Sequence, residues 1–122
     1  MKKILIVDDD KLLLENLSGI FAKDGFEVET AENGALASQI LSKEKPDFML
    51  IDLLMPVKSG IDLIKEIASL YPDLISKIIV MTNSENVDDM AEVVNSGVNI
   101  YINKSNMDLD GVLKMVKEKM GK

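Results

Sequence analysis

Residues 48–56 read Phe48-Met49-Leu50-Ile51-Asp52-Leu53-Leu54-Met55-Pro56, an apolar run interrupted by one carboxylate and closed by a proline. An apolar run bounded by turn signals is typical of a strand that is buried on both faces of a parallel sheet. Asp52 then lies at the carboxyl end of this strand, the edge at which ligands bind in open α/β sheets. Two interpretations stay open here: Asp52 caps a turn or the next helix, or it is a nucleophile or metal ligand.

The residue types that are absent from the chain exclude several kinds of catalytic and metal-binding site. The chain has 122 residues, the size of one ordinary domain, and contains neither Cys nor His. Disulfides and thiolate metal sites are therefore excluded, and so are the commonest general base and the commonest metal ligand. A bound metal would need oxygen ligands, which favours Mg²⁺, Mn²⁺ or Ca²⁺.

The charge and hydropathy patterns exclude other classes. The net charge is −7 and Arg is absent, which argues against a nucleic-acid partner and against a bidentate clamp on phosphate. No apolar run approaches the ~20 residues of a membrane span. Near the N-terminus the apolar run comprises residues 4–7, and three aspartates follow it. This run is shorter than the apolar core of ~7–15 residues that a signal peptide needs. We expect a cytoplasmic protein without a membrane partner.

Strand and helix patterns alternate five times along the chain. Strands are predicted at residues 4–7, 26–30, 48–51, 77–81 and 99–102, and helices at 11–23, 35–43, 61–70, 86–96 and 108–119. The alternation predicts an α/β fold of the (βα)5 type, a doubly wound five-stranded parallel sheet with helices on both faces. The flavodoxin-like order 2-1-3-4-5 fits five strands, and residues 1–122 form a single domain.

Helical spacing also predicts which side chains face the sheet. Leu36, Ile40 and Leu41 are predicted to share one side of the second helix. The inner faces are predicted to carry Val87, Ala91 and Val94 in the fourth helix, and Leu109, Val112, Leu113, Val116 and Met120 in the fifth. Val93 and Met115 are expected to point outward, as scattered surface residues or as a partner-binding patch. Asp10 is expected in solvent or at the first helix N-terminus, and Lys58 as an ordinary loop lysine.

Polar residues follow four of the predicted strands where each one ends: Asp8 and Asp9, Asp52, Thr82, and Lys104. In a parallel sheet these ends share one edge, so we expect the side chains to converge at the switch point between the first and third strands. Clustered carboxylates repel one another, which requires a proton or a cation among them. A Mg²⁺ ion would satisfy this need, and Asp52 could then accept a phosphoryl group as an acyl phosphate.

The chain resembles the receiver domains of two-component response regulators, the CheY-like family, over essentially its whole length. The resemblance is carried by Ile4-Leu5-Ile6-Val7-Asp8-Asp9, Asp52-Leu53-Leu54-Met55-Pro56 with Gly60, Val80-Met81-Thr82, and Tyr101 with Lys104. It implies that Asp52 takes a phosphoryl group from the phosphohistidine of a sensor histidine kinase or a phosphotransfer protein. It further implies that Asp9, Asp52 and the Leu54 carbonyl hold Mg²⁺, or Mn²⁺, with Asp8 acting through water.

The same resemblance implies a switch. Lys104 would bind the acceptor carboxylate and then the phosphoryl oxygens, Thr82 would move to hydrogen-bond the phosphoryl group, and Tyr101 would turn inward. The surface formed by the fourth helix, fifth strand and fifth helix would then change and control a downstream effector protein, or mediate a weak dimer of an otherwise monomeric chain. Such a domain is not an enzyme beyond its own phosphorylation and dephosphorylation.

Three positions depart from the family pattern. Ser105 stands where the family usually has proline after the lysine, so a trans bond and an altered loop around Lys104 are expected. Asn83 replaces a small residue and is expected to narrow the phosphoryl pocket or to bond to the phosphoryl group. Leu54 is apolar, and we expect it to shield the acyl phosphate from water.

Other functions remain as alternatives. A pseudo-receiver that never takes phosphate and serves as a protein-interaction module is the main one. A haloacid-dehalogenase-type phosphatase would need an acid at Leu54, and a dinucleotide binder would need a glycine-rich turn after the first strand. The chain ends just past the fifth helix, so a stand-alone regulator or an excised receiver without an output domain is expected.

Overall fold

The structure is a computed structural model that describes residues 2–83, 86–98 and 100–119. Its strands are β1 (Lys3–Val7), β2 (Glu27–Ala31), β3 (Phe48–Asp52), β4 (Ile78–Thr82) and β5 (Tyr101–Asn103). Its helices are α1 (Lys11–Lys23), α2 (Gly34–Lys43), α3 (Gly60–Leu70), α4 (Val87–Asn95) and α5 (Leu109–Lys119). The described residues also include short 3-10 helices at Pro72–Lys77 and Lys104–Asn106.

The five strands form one parallel sheet in the order β2-β1-β3-β4-β5, which confirms the predicted fold. β1, β3 and β4 lie inside the sheet and are buried along their whole length, as their continuous apolar runs require. β2 lies at an edge and is only half buried, in keeping with its alternating sequence. The Val7–Ile51 pairing brings the ends of β1 and β3 side by side.

Helices cover both faces of the sheet, because successive strand residues point to opposite sides. One face packs α2, α3 and α4 against the sheet through a core that includes Leu5, Met49 and Ile51. The other face packs α1 and α5 against Ile6 and Leu50. Residues that alternate along each central strand therefore belong to different cores, and a strand shifted by one residue would exchange them.

The predicted inner face of α4 is wrong. Val87 is 79% exposed, Val94 is 50% exposed, and Ala91 is exposed as well. Val93, which was predicted to point outward, is fully buried, and Met90 packs against the core beside it. Helical spacing alone allows two apolar faces on α4, one at positions 87, 91 and 94 and the other at positions 90 and 93. The packing of Met90 and Val93 against the core decides which face is buried.

Two smaller predictions about helix faces also need correction. Leu36 of α2 is exposed, and the side of that helix that meets the core carries Ala37 and Leu41. Met115 of α5 packs partly against the core beneath α1 and α5 instead of pointing outward. In the first case Ala37, whose side chain is fully buried, takes the inner position next to Leu36.

Helix starts are set by polar caps. Asp10 Oδ1 accepts the Leu13 N–H at 3.2 Å, which confirms that Asp10 lies at the N-terminus of α1. Asn33, Ser59 and Asn86 cap α2, α3 and α4 in the same way. The 3-10 helix at Pro72–Lys77 was not predicted. Asn99, the predicted first residue of the fifth strand, and Met120 lie outside the described residues.

Candidate functional site

Four strand ends meet at one edge of the sheet. Asp8 follows β1, Asp52 is the last residue of β3, and Thr82 is the last residue of β4. The pairing of Asp52 with Met81 puts the Asp52 and Thr82 ends at the same level of the sheet. Lys104 follows β5 in the first turn of a 3-10 helix. The backbone therefore brings these four positions to one edge of the sheet, as predicted.

Three carboxylates form the centre of the site. Asp8, Asp9 and Asp52 each offer an oxygen, and these oxygens lie within 4.8 Å of one another. Asp8 and Asp52 are buried, whereas Asp9 is exposed. The Asp10 N–H donates to Asp8 Oδ1 at 2.9 Å, so the turn into α1 holds the Asp8 side chain in place. The group has the all-oxygen donor set that a hard divalent cation requires.

Lys104 reaches into this cluster from the other side. Its ammonium donates to Asp8 Oδ2 at 2.9 Å and lies 3.5 Å from Asp52 Oδ2. The Lys104–Ser105 peptide bond is trans. Asn103 Oδ1 accepts hydrogen bonds from both the N–H and the hydroxyl of Ser105, which fixes the turn after the lysine. Serine at this position thus leaves Lys104 at the carboxylates.

Burial and mutual repulsion shift the ionisation of the acceptor candidate. Burial, and then the neighbouring Asp8 charge, raise the pKa of Asp52 to about 6, against the opposing effects of Lys104 and the Leu54 N–H. Burial alone would lower the pKa of Lys104, but its hydrogen bond to Asp8 and the charge of Asp52 raise it above the ordinary value. At neutral pH Asp52 is therefore mainly ionised beside the Lys104 ammonium, and a cation would relieve its repulsion with Asp8.

Hydrogen bonds fix the loop after β3 close to Asp52. The Leu54 N–H donates to Asp52 Oδ1 at 3.4 Å, and the Gly60 N–H donates to the Leu53 carbonyl at 3.0 Å. Leu54 itself is 53% exposed, with its side chain at the surface beside the acceptor. Asn83, after β4, is also exposed. Leu54 follows Asp52 by two residues and Asn83 follows Thr82 by one, so both adjoin the site along the chain.

Thr82 and Tyr101 flank a recess next to the site. The Thr82 side chain is buried, and Tyr101 is 45% exposed on the neighbouring strand. Between them lies a cavity of about 260 Å³ whose lining includes Met90 of α4. An aromatic ring and an empty volume are thus adjacent at the junction of β4, β5 and α4.

One polar group near the site was not predicted from the sequence. Lys58, expected to be an ordinary loop lysine, pairs with Glu66 of α3 and donates to Ser38 Oγ of α2 at 2.9 Å. No sequence motif joins these three residues. The signal that could have drawn attention to Lys58 is its place two residues before Gly60, within the loop that Asp52 opens.

Comparisons with known proteins identify the family. Residues 4–117 match the family model described as the response regulator receiver domain. The response regulator MprA of Mycolicibacterium vanbaalenii is 29% identical over 102 residues, which are 84% of this chain and 43% of that protein. The chain thus spans less than half the length of the curated relatives it matches first.

Solved structures agree with this match. A CheY-like response regulator receiver domain protein from Methanospirillum hungatei superposes with a TM-score of 0.92 at 29% identity, covering 99% of this chain and 94% of that one. The response regulator TrrA from Thermotoga maritima, solved in complex with Mg²⁺-BeF, has a TM-score of 0.82 at 29% identity and covers 98% and 99% of the two chains.

The helices of the described residues are all too short or too polar to cross a lipid bilayer. The sheet order β2-β1-β3-β4-β5 agrees with the fold of the CheY-like receiver structures, and the matched family model spans nearly the whole chain. The chain therefore belongs to the response regulator receiver domain family, the regulatory domains of two-component signalling.

Proposed function

We propose that this chain is a phosphorylation-activated switch in which Asp52 accepts a phosphoryl group from the phosphohistidine of a sensor histidine kinase or a phosphotransfer protein. The observation that carries the proposal is the grouping of Asp52 with two further carboxylates and the Lys104 ammonium at one sheet edge. An aspartate that only capped a turn or a helix would need neither the neighbouring carboxylates nor the lysine, so the grouping favours the role of phosphoryl acceptor. The site lies in the cytoplasm in this proposal, where such donors act.

Asp9, Asp52 and the Leu54 carbonyl would hold Mg²⁺, with Asp8 acting through a water molecule; Mn²⁺ suits the same ligands. The cluster of carboxylate oxygens supports this assignment, since the chain contains neither Cys nor His and the three charges repel. When bound, the ion supplies positive charge that neutralises the acceptor and the incoming phosphoryl oxygens. The rest of the site is formed by the chain's own side chains.

In the transfer step an ionised oxygen of Asp52 forms a bond to phosphorus while the P–N bond of the donor phosphohistidine breaks and the imidazole leaves with the electron pair. With a pKa of about 6, Asp52 is mainly in the nucleophilic carboxylate form at neutral pH. Lys104, 3.5 Å from Asp52, is close enough to neutralise the phosphoryl oxygens that arrive there. Attack of water on phosphorus then breaks the bond between Asp52 and the phosphoryl group, which releases inorganic phosphate and restores the carboxylate.

The new charge would be transmitted through Thr82 and Tyr101. The Thr82 hydroxyl would hydrogen-bond a phosphoryl oxygen, and the Tyr101 ring would turn from the surface into the recess of about 260 Å³ beside it. The half-exposed ring and the adjacent volume support this motion. The surface of α4, β5 and α5 would change as a result and bind an effector protein, or a second copy weakly.

Phosphoryl transfer can be tested by intact-mass spectrometry. The wild type, Asp52→Asn and the control Asp73→Asn, which changes an exposed aspartate outside the carboxylate cluster, are incubated with acetyl phosphate with and without Mg²⁺. We expect one added phosphoryl group in the wild type and the control, dependent on Mg²⁺, and none in Asp52→Asn. Folded wild type that gains no mass would support the pseudo-receiver alternative, a module that binds partners without phosphate.

A further inference from the structure

The loop between β3 and α3 contains a tight turn centred on Val57. The Lys58 N–H donates to the Pro56 carbonyl at 2.8 Å, and Val57 has a φ of 69°. A hydrogen bond across three residues with a positive φ at the centre is a strained γ-turn, and a β-branched residue rarely occupies it. Val57 is 84% exposed, so contacts of its own side chain do not offset this strain.

Lys58, the next residue, is anchored through both its backbone and its side chain. Its carbonyl accepts the Gly34 N–H of α2 at 2.9 Å. Its ammonium pairs with Glu66 of α3 and donates to Ser38 Oγ, which in turn donates to Glu66 Oε1 at 3.0 Å. Both charged side chains are about three-quarters buried, so the ion pair is screened less than a surface pair.

The backbone contact is close enough to require glycine at position 34. A Cβ there would lie 2.7 Å from the Lys58 carbonyl oxygen. At its far end the loop is held by Gly60, which packs directly on the Asp52 backbone. The segment from Asp52 to Gly60 is thus fixed at the acceptor and again at Lys58, with the strained turn immediately before the second anchor.

We propose that Lys58, Glu66 and Ser38 form a loop clamp, a set of positioning residues that holds the β3–α3 loop so that the Leu54 carbonyl keeps its place beside Asp52. The clamp rests on the proposed function, because the Leu54 carbonyl matters as a ligand only if a metal ion binds there. None of the three side chains is in the carboxylate cluster. They act through the loop backbone, by offsetting the strain at Val57.

The clamp is tested by measuring Mg²⁺ affinity with titration calorimetry on the folded chain. Lys58→Met removes the charge and keeps the side-chain length, and Lys58→Arg keeps the charge. The control Lys65→Met breaks the exposed ion pair between Lys65 of α3, the helix that carries Glu66, and Glu92 of α4. We expect about tenfold weaker Mg²⁺ binding in Lys58→Met, the lower end of the range for groups that orient a metal's ligands. Lys58→Arg and Lys65→Met should stay close to wild type.

A second substitution separates positioning from general loss of structure. Glycine adopts positive φ freely, so Val57→Gly placed in the Lys58→Met background should restore most of the lost Mg²⁺ affinity. If Lys58→Met does not fold, Glu66→Gln, which leaves the Ser38 hydrogen bond, serves in its place with the same rescue. Lys58→Met and Glu66→Gln should both still gain a phosphoryl group from acetyl phosphate at saturating Mg²⁺.

The possible failures are distinguishable. Wild-type Mg²⁺ affinity in folded Lys58→Met, or a loss that Val57→Gly does not recover, would overturn the clamp and leave the proposed function intact. Absence of Mg²⁺ binding by the wild type would overturn both. An equal loss in the Lys65→Met control would also overturn the clamp, because any broken ion pair on α3 would then have the same effect.

Discussion

A Cβ on residue 60 would lie 2.0 Å from the Asp52 carbonyl oxygen, so Gly60 and Asp52 meet backbone to backbone. This contact lets the first turn of α3 start directly beneath the end of β3. Any side chain at residue 60 would push the helix away from the strand, and the neighbouring atoms belong to the backbone, which cannot rotate aside. The glycine is therefore a requirement of the site's geometry.

Gly60→Ala should lower the free energy of unfolding by about 2–4 kcal/mol, because the overlap forces a backbone shift in a packed region. Urea denaturation followed by circular dichroism measures this. Gly19→Ala is the matched control: its Cβ would meet no atom within 4 Å in α1, and we expect a gain of about 0.5–1 kcal/mol. Equal effects of the two substitutions would contradict the close contact.

Val57→Gly should raise the free energy of unfolding by about 1 kcal/mol, because the strain of a β-branched residue at a φ of 69° exceeds the entropy that glycine adds to the unfolded chain. The same denaturation assay applies. Val87→Gly, at an exposed position in the first turn of α4, should instead destabilise by about 0.5 kcal/mol. A loss of stability in Val57→Gly comparable to that in Val87→Gly would show that no strain is stored there.

Asp52→Asn should stabilise the metal-free protein at neutral pH. The pKa of Asp52 in the fold, about 6, is above its ordinary value of 3.8, so its ionisation opposes folding: the associated stability is present below pH 3.8 and is lost as pH rises through 6. Asp8, Asp9 and Lys104 are the charged groups facing it. We expect a gain of about 1–3 kcal/mol at pH 7.5 that shrinks towards pH 4.

Thermal unfolding of both proteins in EDTA across this pH range measures the difference. Added Mg²⁺ should reverse the order at pH 7.5, because a cation that binds the three carboxylates stabilises the wild type and binds the variant less well. A difference between the two proteins that does not vary with pH would mean that Asp52 ionises as it does in the unfolded chain.

Leu54→Asn should shorten the lifetime of the phosphorylated protein several-fold, because an apolar side chain beside the acceptor excludes water from the acyl phosphate and an amide does not. The decay of the phosphorylated mass after removal of the donor measures the rate. Leu70→Asn, at an exposed position at the end of α3, is the control and should decay as the wild type does. An unchanged rate in Leu54→Asn would remove the shielding role.

The sequence alone was sufficient for the sheet order and for the edge of the sheet at which the polar strand ends meet. Three central strands are continuous apolar runs, and each ends abruptly on a polar residue, so the geometry of a parallel sheet brings Asp8, Asp52 and Thr82 to one edge. Helix starts were predictable because side chains such as Asp10 and Ser59 cap them locally. These signals are contained within a few consecutive residues.

Contacts between elements distant in the chain were not predictable in this way. The buried face of α4 depends on how Val93 and Met90 fit the sheet, and two apolar stripes in its sequence have helical spacing. The Lys58 pairing with Glu66 and Ser38 requires three elements to meet, and nothing local distinguishes Lys58 from other loop lysines. The γ-turn at Val57 likewise follows from the anchoring of Lys58 and not from the residue's own preference.

Chemical mapping of the phosphorylated residue tests the assignment of Asp52 most directly. The wild type is phosphorylated with acetyl phosphate and Mg²⁺, the acyl phosphate is reduced with borohydride to homoserine, and the peptides are sequenced by mass spectrometry. We predict conversion of Asp52 and of neither Asp8 nor Asp9. Conversion of either neighbour with Asp52 unmodified, or no conversion in a folded protein that binds Mg²⁺, would contradict the proposal that Asp52 is the phosphoryl acceptor.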